Sequence, residues 1–184
     1  ISGFVMAKVA IDETAARFLR KRIVRIVPLY WAVTLGFCAL GLTTHLFRHF
    51  AVTPADLVRS LLFIPYVNSQ GRVWPIVIPG WTLDFEMAFY GLFAIGALWR
   101  GRIGAGARVA AIVAVLFVLV VAGQIAGHAL DPRSAPVLST YTSPLLAEFA
   151  AGLVLARIGF DRRMRLHRAT GPVALILAMA CWAA

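Results

Sequence analysis

Glu86 lies inside a membrane-length apolar run, Trp81-Thr82-Leu83-Asp84-Phe85-Glu86-Met87-Ala88-Phe89-Tyr90-Gly91-Leu92-Phe93. A carboxylate placed in hydrocarbon costs roughly 2.5–3.5 kcal/mol even on lenient insertion scales, so it is expected to face a bundle interior, a partner or a wet cavity. A structural carboxylate at this depth would be protonated, or paired with an arginine from another span. Asp84 is two residues away, which on a helix points it to a nearly opposite face. The two acids are therefore not expected to share one cavity. Asp84, nearer the Trp81 end, is expected to reach the outer interface.

The opposite charge is concentrated in Arg17, Arg20, Lys21, Arg22 and Arg25, just ahead of another apolar run. On a helix Arg17, Lys21 and Arg25 fall at i, i+4 and i+8 on one face, with Arg22 beside Arg25. Guanidinium groups bind phosphate oxygens through paired hydrogen bonds, which suits a nucleotide-containing ligand at a membrane edge. The alternative is that the cluster holds its loop inside and touches anionic lipid head groups. Together, an intramembrane acid and a dense basic edge point to a membrane protein that handles a charged molecule.

Other candidates are weaker. His45 and His49 stand at i and i+4 with no third metal ligand nearby in sequence, so no metal is expected. Glu148, near the outer end of a short span, reads as a structural echo of Glu86. Cys38 and Cys181 lie inside apolar runs without metal or redox spacing and read as inert. There is no Gly-x-Ser-x-Gly, no phosphate-cradling glycine loop with lysine, and no paired-cysteine motif.

The elements that must position these residues follow from composition. The chain is 61% hydrophobic and 14% charged with a mean hydropathy of +0.83, too apolar for a soluble domain. The expected fold is an all-α polytopic transmembrane helix bundle. Spans are expected at residues 26–42, 81–99, 109–130 and 144–159. Cut spans at 1–6 and 170–184 make residues 1–184 the central part of one membrane-embedded domain. Pro28 either sits in a first turn or bends a helix continuing from the arginine cluster. Residues 57–66, closed by Pro65, are too short to cross about 30 Å of hydrocarbon and read as re-entrant or interfacial. Residues 68–80 and 131–141 read as loops, and Ser143-Pro144 as a helix N-cap with proline at the first helical position.

The net charge of +10 falls in short clusters between apolar runs, a pattern of topology signals rather than a nucleic-acid-reading face. If 57–66 does not cross, the loops 7–25, 100–108 and 157–168 lie on one side. They hold 14 of the 18 Lys and Arg. The positive-inside rule then places these loops in the cytoplasm of a multi-pass membrane protein.

Three segments resemble signatures of the integral-membrane acyltransferase type 3 family. Arg22-Ile23-Val24-Arg25-Ile26-Val27-Pro28-Leu29-Tyr30-Trp31 resembles its Arg-x-x-Arg-Ile-x-Pro-x-Tyr stretch, and Ser2-Gly3-Phe4 the end of its preceding helix. Gly80-Trp81-Thr82-Leu83-Asp84-Phe85-Glu86-Met87-Ala88-Phe89-Tyr90 resembles its Trp-Ser/Thr-Leu-x-x-Glu-x-x-Phe-Tyr block. With Ser143-Pro144-Leu145-Leu146-Ala147-Glu148-Phe149, the set is most similar to bacterial exopolysaccharide-modifying members. The resemblance implies O-acylation of a carbohydrate or lipid-linked glycan bound for the cell envelope, with acyl-CoA, often acetyl-CoA, as donor. It assigns donor phosphates to Arg22 and Arg25, and orientation of a base or an acceptor hydroxyl to Glu86. The family's key histidine lies upstream of Ile1; none of His45, His49, His128 or His167 stands at its place.

Two other classes compete. A transporter or flippase of an envelope precursor would use Glu86 as a proton- or substrate-linked site, but the inverted repeats such proteins often show are not visible. A non-catalytic membrane subunit would use the arginines only to bind lipid. Binding of acetyl-CoA separates the enzyme from both.

Overall fold

The computed structural model describes residues 2–9, 13–43, 52–127 and 131–157. These form seven α-helices: α1 (Ser2–Val9), α2 (Ala15–Thr43), α3 (Pro54–Leu61), α4 (Trp81–Leu98), α5 (Ala105–Ala126), α6 (Pro136–Tyr141) and α7 (Leu145–Arg157). A 3-10 turn, Ile78–Gly80, leads into α4. An isolated bridge between Arg100 and Ile103 is the one β-type pairing among the described residues. Among the described residues the fold is all-α, as expected from the sequence.

Among the described residues three segments are long and apolar enough to cross a membrane: Ala15–Gly41, Ala105–Ala126 and Pro136–Arg157. The arginine cluster does not precede the first of them but belongs to it, because α2 runs unbroken through Pro28. α4 has 18 residues but is not among the three, since Asp84 and Glu86 fall within its apolar run. α3 has eight residues, about 12 Å at 1.5 Å per residue, and cannot cross. Its start is fixed by a capping box in which Thr53 Oγ1 accepts from Asp56 N at 3.1 Å and Asp56 Oδ2 accepts from Thr53 N at 3.1 Å.

Two boundaries differ from the sequence reading. Residues 136–141, expected as loop, form α6, because Pro136 occupies the first turn of a helix where its missing N–H does no harm. Arg108, expected in a link, lies inside α5 and is buried. The expected cap holds: Ser143 Oγ accepts from Leu145 N at 3.3 Å ahead of α7. The loop 68–80 is irregular apart from the 3-10 turn, and Asn68 Oδ1 accepts from both Gln70 N and Arg72 N at 3.0 Å. The histidines 45, 49, 128 and 167, Cys181 and the span at 170–184 lie outside the described residues.

The core joins α1, α2, α4, α5 and α7 through Met6, Phe18, Phe93, Leu116, Phe149 and Leu153. Phe89 and Phe149 stack with centroids 3.6 Å apart, tying α4 to α7. α1 crosses α7 at two glycines: a Cβ on Gly152 would stand 2.9 Å from Phe4 N, and one on Gly3 would collide with the Phe149 carbonyl. Such small-residue contacts let backbones meet where hydrophobic driving force between helices is weak. Leu29, Leu98, Phe117 and Ile125 remain exposed, an apolar exterior suited to lipid or further helices.

The bundle has two distinct ends. At one, the start of α2 meets the end of α4 around Ala15, Leu98 and Arg100, and Gly106 of α5 meets Arg157 of α7. This is the basic end. At the other, Gly80 packs on the Tyr30 ring, Gly123 meets Thr142, and the Tyr141 hydroxyl reaches the Asp84 carbonyl at 3.4 Å.

Candidate functional site

Arg22, Arg25 and Glu86 converge on one cavity. It measures about 300 Å³ and lies between α1, α2 and α4, with Ser2, Leu83 and Tyr90 completing the wall around the charged groups. The helical repeat explains the selection. Phe18, Arg22 and Arg25 lie on the face of α2 turned to α4, with Phe18 at 2% exposure locking that face into the core. The expected face of Arg17, Lys21 and Arg25 does not form one wall. Lys21 instead pairs with Glu13, and Arg17 is exposed.

Glu86 is half-buried and held by its own helix. Tyr90, one turn on, donates its hydroxyl to Glu86 Oε2 at 2.9 Å. The Arg22 guanidinium lies 5.9 Å from the Tyr90 ring centroid and 5.6 Å from that of Phe18, within cation–π reach of both. Neither Arg22 nor Arg25 forms an ion pair with a carboxylate among the described residues. The charges on the two sides of the cavity thus remain available to a ligand.

Glu86 also faces a second cavity, of about 190 Å³, bounded by Ser2 and Gly3 of α1, Phe85 and Phe89 of α4, and Glu148 of α7. Glu148, read from sequence as a buried structural acid, is exposed and shares this space with Glu86. Glu86 and Ser2 line both cavities and stand at their boundary. The cavities are arranged along α4, with the cationic one on the α2 side and the second one on the α7 side.

Asp84 faces elsewhere, as the two-residue spacing requires, but it does not reach an interface: it is 5% exposed. It lies where α3, the 64–80 loop and α2 fold back over the start of α4. Nearby, Ser60 Oγ and the Tyr66 hydroxyl are 3.0 Å apart, and Ile76 N donates to Ser60 Oγ at 3.1 Å. The burial of Asp84 depends on this long-range return of the chain, which no local pattern announces. Tyr90 was within reach of sequence reasoning, since i, i+4 spacing from Glu86 places its hydroxyl beside the carboxylate.

Chemically, the cationic cavity can hold a polyanion on the arginine side and present a carboxylate, oriented by a tyrosine, on the other. Among the described residues no group of three or more His, Cys, Asp or Glu side chains could hold a metal.

The whole chain, residues 1–184, matches the family described as "Acyltransferase domain". It is 35% identical over 167 residues to the exopolysaccharide production protein ExoZ of Rhizobium meliloti (strain 1021), covering 89% of this chain and 50% of that protein. The chain therefore spans about half the length of the curated relative it matches. No solved structure matches it.

Proposed function

The chain belongs to the acyltransferase domain family, and on that premise we propose that it is part of a membrane-bound O-acyltransferase that moves an acyl group, typically acetyl, from acyl-CoA to a hydroxyl of an exported or envelope polysaccharide. Residues 1–184 would form one stretch of a single membrane-embedded domain. The basic end would face the cytoplasm of the inner membrane, where the donor is available; the presence of 14 of the 18 Lys and Arg in segments 7–25, 100–108 and 157–168 supports this orientation.

The observation that carries this reading is the convergence of Arg22, Arg25 and Glu86 on one cavity. Arg22 and Arg25 hold donor phosphates through paired hydrogen bonds. A volume of about 300 Å³ suits part of a CoA thioester rather than the whole molecule, so the nucleotide end extends toward the basic end. Glu86, fixed by Tyr90, orients either the acceptor hydroxyl or the histidine that the family resemblance places upstream of Ile1. In the transfer the acceptor oxygen attacks the thioester carbonyl and its proton passes to the base. The C–S bond then breaks, and CoA leaves as a thiolate that takes up a proton. The product is an O-ester on the glycan.

Donor binding tests the reading. In the full-length protein Arg25→Ala should weaken acetyl-CoA binding by about tenfold or more, as expected for loss of a charge-assisted contact, with membrane insertion near normal. Arg25→Lys should recover little, because an ammonium lacks the paired donor fork. Unchanged donor affinity in Arg25→Ala would return the cluster to a topological and lipid-binding role.

A further inference from the structure

A third cavity, of about 240 Å³, opens beside Asp84 at the end of the bundle opposite the basic end. It is walled by Trp74 of the 64–80 loop, Trp81 and Phe85 of α4, and Ser139, Thr140 and Ser143 of the α6–α7 corner. We infer that this cavity binds a neutral sugar ring of the acceptor glycan, with Asp84 receiving its hydroxyls and the tryptophans meeting its C–H face. The inference rests on the acyltransferase reading for the identity of the glycan as acceptor, but not for the saccharide binding itself.

Four observations select a sugar. Asp84 is nine-tenths buried, and its Oδ1 has no hydrogen-bond partner among the described residues. A buried acceptor of this kind is costly to leave unmade, and a vicinal diol supplies two donors to one carboxylate. The serine and threonine hydroxyls on the facing wall both donate and accept, which matches sugar hydroxyls of either polarity. No lysine or arginine is among the lining residues, which disfavours phosphates and other anions in this space. Arg72 instead stacks on Trp74 at 4.5 Å and holds that ring in place at the cavity wall. The size, below the roughly 300–1,000 Å³ of drug-sized pockets, suits one ring.

Position completes the argument. Trp81 and Phe85 line both this cavity and the one shared by Glu86 and Glu148. Glu86 in turn borders the cationic cavity. The three spaces succeed one another around α4, so a glycan with one ring held at Asp84 extends past Trp81 and Phe85 toward Glu86 while a donor enters from the arginine side.

The test uses the full-length protein in lipid nanodiscs. The probe is oligosaccharides from alkali-deacylated exopolysaccharide of the parent bacterium, with maltooligosaccharides of equal length as control. Calorimetric titration should show binding to the wild type, weakened at least about tenfold by Asp84→Asn and by Trp74→Ala, with acetyl-CoA affinity unchanged in both. Absence of wild-type binding, or wild-type saccharide affinity in both variants, overturns the inference. Should Asp84→Asn fold poorly, Trp74→Ala decides alone, and unchanged affinity there overturns it. Saccharide binding that responds to both substitutions, in a protein that binds no acetyl-CoA, would sink the acyltransferase reading and leave this site standing.

Discussion

Glu86 draws its meaning from a neighbour one helical turn away. Its carboxylate accepts from the Tyr90 hydroxyl, and Tyr90 in turn lies beneath Arg22. In the proposed reaction Tyr90 would thus be a positioning residue, and its removal should separate orientation from binding. Tyr90→Phe keeps the ring and its cation–π contact but removes the donor. A hydrogen bond to a charged group contributes about 1.5–3 kcal/mol, so kcat for acyl transfer should fall roughly 10- to 100-fold while acetyl-CoA affinity stays within about twofold. A purely structural tyrosine would instead lower protein level and leave kcat per folded molecule unchanged. Much of this site was legible in the chain. The burial cost of an intramembrane acid singled out Glu86, its two-residue spacing separated it from Asp84, and the family resemblance picked Arg22 and Arg25 out of the basic cluster. The helix face they share was not read from spacing, which grouped Arg25 with Arg17 and Lys21, whereas burial of Phe18 sets half-buried Arg22 and exposed Arg25 on the cavity side.

Helices here are placed by close backbone contacts as much as by apolar stripes. The α1–α7 crossing depends on Gly3 and Gly152, where an added side chain meets backbone and not a yielding side chain. Gly152→Val should destabilise the protein by about 1–3 kcal/mol through overpacking, seen as a lower melting temperature in detergent. Gly36→Ala, in α2 with nothing within 4 Å of the new methyl, should be neutral or stabilising by about 0.5–1 kcal/mol. Equal effects of the two would mean that the crossing does not depend on close approach. The same distinction separates what the sequence disclosed from what it hid. The long apolar helices and the Ser143 cap follow local rules. α6 was hidden by a proline and hydroxyl-rich composition that reads as turn. The burial of Asp84 was hidden because α3 and the 64–80 loop reach it only through the tertiary fold, with Tyr30 and Gly80 in contact across fifty residues.

At the scale of the whole molecule, the two ends of the bundle differ in charge and chemistry, and the proposed reaction needs that polarity. A reporter fused within residues 68–72 should read periplasmic, and one fused after Arg163 should read cytoplasmic. The same side for both would put the arginines out of reach of cytosolic donor. Three cavities succeed one another around α4, cationic, acidic and aromatic, and in the proposed reaction they would give donor and acceptor separate approaches to Glu86. The most direct measurement is the O-acetyl content of exported polysaccharide, read by proton NMR from cells carrying the wild-type protein, none, or Glu86→Gln at equal membrane level. Acetyl signals should be present with the wild type and lost in the other two. Glu86→Asp, which withdraws the carboxylate by one methylene, should restore little. Unchanged acetylation in cells lacking the protein, or full acetylation by Glu86→Gln, would contradict the account.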